Sequence, residues 1–130
     1  MEGLPAIRPA LLELHRELLA AERADLERFQ GRLTGAEFLQ IATDSLRLAW
    51  LAPLLELIVE IDEAVEARVG DPAEAPTPAD LDALIDRVRA LVAPPDAGTP
   101  FGCRYTTMLQ LNPAVVMAHS ALVQQLGRRP

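Results

Sequence analysis

The sequence predicts an all-α fold, an antiparallel bundle of four main helices that forms one domain over residues 1–130. Apolar residues recur every three or four positions along most of the chain, which is the spacing of a helix with one buried face. Ala, Leu, Glu and Arg dominate the composition and aromatic residues make up only 4% of it, which favours helix over strand. At 130 residues the chain is long enough to bury a core without disulfides or a structural metal.

The first predicted helix covers about residues 6–33. An apolar stripe with alternating steps of four and three runs along it, and further apolar residues widen the stripe, so we expect burial against two neighbouring helices. The stripe consists of Ile7, Leu11, Leu14, Leu18 and Ala21, and the widening residues are Leu12, Leu19, Leu26 and Phe29.

The second predicted helix is central to the bundle. Thr34 and Glu37 have the spacing of a capping box and mark its start, and the helical period continues to about Val69. Residues 46–61 are apolar on nearly every face. Pro53 lies within this segment and cannot donate a hydrogen bond to the Ala49 carbonyl, which costs about 3 kcal/mol in an unkinked helix. We therefore expect helix 2 to be kinked at Pro53 or broken into two segments.

A linker over residues 70–78, rich in turn-forming residues, is expected to be flexible. Thr77 then has the features of an N-cap and Pro78 those of a first helical residue, so a third helix starts there. Pro94 and Pro95 end this helix.

The last helical region spans residues 101–126. Asn112 and Pro113 form an N-cap and first-position pair in its middle, so the region is predicted to divide there into two helices that meet at an angle. Gly127 provides the C-terminal stop, and residues 127–130 are expected to be frayed.

Charge and composition exclude several classes of partner. The net charge is −7, and residues 56–86 carry ten acids against the single Arg68, so we expect an acidic surface and no nucleic-acid binding. The longest apolar run, residues 48–55, is far shorter than the roughly 20 residues of a membrane span. A single cysteine and the lack of a signal-like start favour a cytoplasmic protein. Since the chain has no lysine, Schiff-base and P-loop chemistry are excluded.

Two histidines are the candidate ligand-binding residues, because both lie on apolar helix faces and buried imidazoles need partners. In one interpretation, His15 and His119 line an inter-helix pocket together with Tyr105 and Cys103. In the other, which we favour, each ring makes one structural hydrogen bond in the core.

No catalytic residue, cofactor or metal is predicted. Neither histidine has a glutamate three positions before it, as the di-iron bundles require, and two histidines are too few for an all-imidazole site. A pairing of Cys103 with His119 lacks a supporting motif, and a lone cysteine is more often a small buried apolar residue. The acidic row of Glu56, Glu60 and Glu63 is interpreted as a solvated face of the helix. The alternative is that this row binds a basic protein partner.

Helix 2 has more apolar surface than a monomer of this size needs to cover, which predicts a homodimer. The candidate interface residues are Trp50, Leu51, Leu54 and Ile58. Packing of the indole into the kink at Pro53 is the alternative role for Trp50.

Two blocks of the sequence carry a resemblance. Residues 37–40, 49–54 and 58–62 form the first block, and residues 104–105 and 113–119 belong to the second. Both resemble an uncharacterised group of small bacterial all-helical proteins, and this resemblance implies a bacterial all-α domain without implying an activity. The excess apolar surface of helix 2, the acidic middle of the chain and the lack of a recognisable catalytic constellation make a non-enzymatic interaction or assembly module the leading hypothesis. The alternative is a small-ligand-binding protein or enzyme that uses His15, His119 and Tyr105.

Overall fold

Residues 3–44, 46–69 and 76–127 are described by a computed structural model. They form six α-helices and one 3-10 helix, and these described residues contain no strand, so the predicted all-α fold is confirmed. The elements are α1 (Gly3–Gln30), α2 (Gly35–Asp44), the 3-10 helix η1 (Leu46–Leu51), α3 (Ala52–Val69), α4 (Pro78–Val92), α5 (Pro100–Leu111) and α6 (Pro113–Gly127).

Helix α1 buries the predicted stripe. All five of its residues are at most 7% exposed, and the helix packs mainly against α6 and α3. Two of the residues that were predicted to widen this buried stripe are not buried, because Leu12 is 42% and Phe29 is 83% exposed. Gly31, whose φ of +80° favours glycine, ends the helix by donating its amide to the Glu27 carbonyl at 2.9 Å.

The segment predicted as one helix, kinked at Pro53 or broken there into two segments, is divided into α2, η1 and α3. The capping box at its start is present, since the Glu37 amide donates to Thr34 and the Thr34 amide donates to the Glu37 carboxylate. Pro53 is the second residue of α3 and lies in its first turn, where a missing N–H costs least. The turns before it are wound as a 3-10 helix, so the change in winding comes before Pro53 instead of at it.

The remaining boundaries lie close to the predicted ones. Thr77 and Asp80 form a reciprocal capping box at the start of α4, and α4 ends at Val92. Asn112 separates α5 from α6. Most of the predicted linker, residues 70–75, and most of the predicted frayed end, residues 128–130, lie outside the described residues.

The core is formed by residues of α1, η1, α3, α4, α5 and α6. Tyr105, fully buried, is the largest of the fully buried side chains. Helix α2 contacts mainly η1 and contributes no residue to the buried cluster. None of the described helices combines the length and the apolar character that crossing a bilayer requires.

Candidate functional site

Tyr105 and His119 are two predicted site residues that the structure brings together. Tyr105 lies on α5 and its Oη is 2.6 Å from Nδ1 of His119 on α6. Burial raises the pKa of the Tyr105 phenol and lowers the pKa of the His119 imidazole, so both groups are kept neutral near pH 7. When the neutral ring carries its proton on Nε2, the Tyr105 hydroxyl donates the hydrogen bond and Nδ1 of His119 accepts it.

The other two predicted ligand residues lie apart from this pair. His15 is half-buried on α1, where burial lowers its pKa, and among the described residues it makes no hydrogen bond to Tyr105 or His119. Cys103 is exposed on α5. Of the four residues, Tyr105 and His119 are therefore the one pair joined by a direct polar contact in the described part of the chain.

The predicted interface residues face the interior of the chain. Leu51, Leu54 and Ile58 are at most 5% exposed and belong to the core. Trp50 is half-buried, with its ring centroid 5.5 Å from that of Phe101. The expectation that Leu51, Leu54 and Ile58 are available to a partner does not agree with their burial, because all three side chains pack in the core of this chain.

A charged cluster that the sequence analysis did not identify joins α1, η1 and α5. Its centre is Glu22, which is 1% exposed and the only buried charged residue among those described. Arg104 donates to Glu22 Oε1 through Nε at 3.1 Å and through Nη2. Arg47 Nε lies 3.5 Å from Glu22 Oε2. Each carboxylate oxygen of Glu22 therefore faces a guanidinium, which offsets the cost of burying its charge.

Asp25, one turn after Glu22, extends the cluster. It accepts hydrogen bonds from Arg47 Nη2 and from Arg28 Nη2, the latter at 2.8 Å, and Arg104 Nη2 is 3.5 Å away. We call Glu22, Asp25, Arg47 and Arg104 the charged cluster. Its side chains fix α5 and η1 on the same side of α1 and leave the arginines about one third exposed.

An open cavity of about 440 Å³ lies over the charged cluster, lined by its four residues and Trp50. The indole Nε1 of Trp50 is buried, and no described residue accepts a hydrogen bond from it. The cavity therefore combines guanidinium donors and carboxylates with one aromatic wall.

One signal of this cluster was present in the sequence. Glu22 lies on the apolar stripe of α1 between Leu18 and Leu26, and Arg47 interrupts the apolar segment 46–61. A charged residue on a buried stripe needs a partner. Arg104 is 82 positions from Glu22, and no local pattern pairs the two.

A second feature is the outer face of α3, which is opposite its buried face. Leu55 and Val59, one turn apart, are 48% and 47% exposed. They line an apolar groove of about 550 Å³ together with Ala52, Glu56 and Glu60.

Ion pairs border this groove on both sides. Glu60 pairs with Arg87 of α4 at 2.7 Å, and the Arg87 hydrogen bond lowers the pKa of Glu60. Asp62 pairs with Arg8 of α1 at 2.5 Å. Glu60 of the predicted acidic row and Asp62 are thus partly neutralised. The described residues contain no group of three or more acids, histidines and cysteines that could hold a metal ion.

Comparison of the chain with family models, with curated proteins and with solved structures gives no match.

Proposed function

We propose that this protein is a non-enzymatic interaction module that assembles as a symmetric homodimer through the outer face of α3. The apolar groove around Leu55 and Val59 carries the proposal, because two large apolar side chains are left about half exposed one turn apart. An antiparallel bundle of the four longest helices, α1, α3, α4 and α6, is the proposed scaffold, and the cytoplasm is the proposed compartment.

The groove fits a second copy of the same chain. In a two-fold contact the same patch is used twice, so an axis midway between Leu55 and Val59 sets Leu55 against Val59 of the partner subunit. Ala52, whose small side chain permits close approach, extends the contact on one side.

The charges at the rim favour a second copy over a basic partner. Glu60 and Asp62 already have arginine partners within the chain, so they do not require cations from another protein. Glu56 is the groove residue whose charge a second copy does not compensate. In an antiparallel pair the two Glu56 side chains lie along the same edge, and this repulsion makes the dimer weaker and dependent on salt.

The test is the molar mass in solution at increasing concentration. At about 0.1 mM chain, light scattering should give twice the 14.1 kDa monomer mass if the dissociation constant is micromolar. Leu55→Glu and Val59→Glu should each give a monomer, because they place a charge in the apolar contact. Met117→Glu is the matched control, since Met117 is 71% exposed on α6 and the substitution should leave the dimer intact. A wild-type monomer at every concentration would exclude the proposal.

A ligand pocket formed by His15, His119 and Tyr105 is the second candidate. The hydrogen bond between Tyr105 and His119 instead supports the structural role for this pair, because it satisfies both groups inside the fold. A titration of the imidazole resonances that showed coupled protonation of His15 and His119 would favour the pocket.

A further inference from the structure

The surroundings of the charged cluster carry more positive than negative charge. Arg28 joins Arg47 and Arg104, so three guanidiniums meet the two carboxylates of Glu22 and Asp25. The local net charge is +1 in a chain whose overall net charge is −7. Arg47 and Arg104 balance the two carboxylates of the cavity lining, and Arg28, which pairs with Asp25 from outside the lining, adds the surplus positive charge.

The buried carboxylate also orients one of the guanidiniums. Arg104 is held by its Nε and Nη2 bonds to Glu22, while its Nη1 has no hydrogen-bond partner within the described ranges. The side chain is 33% exposed, so water and solutes can reach it. A guanidinium that is already held in place loses little conformational entropy when it binds an oxyanion.

The size of the cavity indicates the kind of ligand. About 440 Å³ is much more than a bare ion fills, since a water molecule takes about 30 Å³ of liquid. Trp50 supplies a flat apolar wall beside the arginines. We infer that this cavity binds a small organic oxyanion, whose carboxylate or phosphate group meets Arg104 and whose flat apolar body packs on Trp50.

This inference does not rest on the proposed dimer, because the outer face of α3 contributes nothing to the cavity lining. The readout is direct. Trp50 is the only tryptophan of the chain, so its fluorescence and its indole N–H resonance report on this one place.

The probes are benzoate, inorganic phosphate and benzyl alcohol, the last being an uncharged analogue of benzoate. Benzoate should move the indole resonance saturably with a dissociation constant of about 1 mM or lower, and benzyl alcohol should bind at least about tenfold more weakly. Saturation by phosphate but not by benzoate would support the phosphate-ester form of the ligand. Equal binding of benzoate and benzyl alcohol, or no saturation by either anion, would overturn the inference.

Two variants separate ligand binding from folding. Arg104→Lys keeps a positive charge beside Glu22 but loses the planar guanidinium, whose paired N–H donors match a carboxylate. This variant should weaken benzoate binding about tenfold. Arg28→Gln removes the surplus charge from a mostly exposed position and should weaken binding about two- to threefold.

Arg16→Gln is the matched control, because Arg16 is also paired at i,i+3 on α1 but with Glu13, which does not line the cavity. It should leave the affinity unchanged, with circular dichroism verifying the fold of each variant. Unchanged affinity in both Arg104→Lys and Arg28→Gln would also overturn the inference.

Discussion

At the scale of single residues, Glu22 determines how distant segments pack. Its neighbours on the stripe, Leu18 and Leu26, are apolar and buried, so the carboxylate is drawn into the interior with them. Burying a carboxylate without a partner is costly, whereas burying an apolar side chain is favourable. The position of Glu22 therefore requires Arg47 and Arg104 to approach α1 at the same level, and this selects one arrangement of η1 and α5.

Replacement of Glu22 tests this role. Glu22→Gln keeps the size of the side chain but leaves Arg47 and Arg104 without their shared anion, and it should lower the free energy of unfolding by about 2 kcal/mol or more. Glu13→Gln, which breaks only an exposed ion pair on the same helix, should cost less than about 0.5 kcal/mol. Urea unfolding measures both. Similar small losses in the two variants would show that the charged cluster contributes little to stability.

The half-buried histidines predict a dependence of stability on pH. Burial lowers the folded-state pKa values of His15 and His119 below the usual imidazole value of 6.5, so the unfolded chain binds protons more readily. The contribution of the two neutral histidines to the free energy of unfolding is complete above about pH 6.5. It is lost as the pH falls through their folded-state pKa values. The free energy of unfolding should thus decrease from pH 7 to pH 5.

The variant His119→Asn should flatten that decrease, because asparagine keeps an acceptor for Tyr105 but does not titrate. Urea unfolding at several pH values measures the slope. A slope as steep in His119→Asn as in the wild type would show that His119 does not contribute to it.

At the scale of secondary structure elements, the sequence predicted those boundaries that depend on neighbouring residues. The predicted capping box of Thr34 with Glu37 and the predicted N-cap at Thr77 are local, and both are formed. The division at Asn112 is also local. The 3-10 winding of η1 was not predicted, because a proline within an apolar segment permits a kink, a break or a change of winding, and packing decides among them.

One element boundary depends on a contact that the sequence does not reveal. At Gly102, in the first turn of α5, an added Cβ would lie 1.9 Å from the carbonyl oxygen of Asp96. That carbonyl also accepts hydrogen bonds from the amide and the hydroxyl of Thr99. The loop before α5 is therefore folded closely over the start of the helix.

Gly102→Ala should lower the free energy of unfolding by about 2–3 kcal/mol, because the backbone of Asp96 must move. Gly35→Ala is the control: no atom lies within 4 Å of its added Cβ. That control should be neutral or stabilising by up to about 1 kcal/mol, since alanine restricts the unfolded chain. Thermal or urea unfolding of both proteins distinguishes a steric cost from a loss of glycine flexibility, and equal effects would contradict the close approach at Asp96.

At the scale of the whole molecule, salt acts in opposite directions on the two proposed interactions. Each chain carries −7, so two copies repel each other, and the proposed dimer also brings two Glu56 side chains to one edge. Salt screens this repulsion, whereas it weakens the attraction between an oxyanion and the arginines of the charged cluster.

We therefore expect the dimer dissociation constant to fall a few-fold when sodium chloride rises from about 20 to 200 mM, and the benzoate dissociation constant to rise over the same range. Sedimentation equilibrium measures the first, and the indole resonance of Trp50 measures the second. Glu56→Gln should reduce the salt dependence of dimerisation without changing that of benzoate binding, because Glu56 lines the α3 groove and not the cavity over Glu22. A dimer that weakens with salt would indicate that ion pairs between the chains, and not the apolar contact of Leu55 with Val59, hold the two copies together.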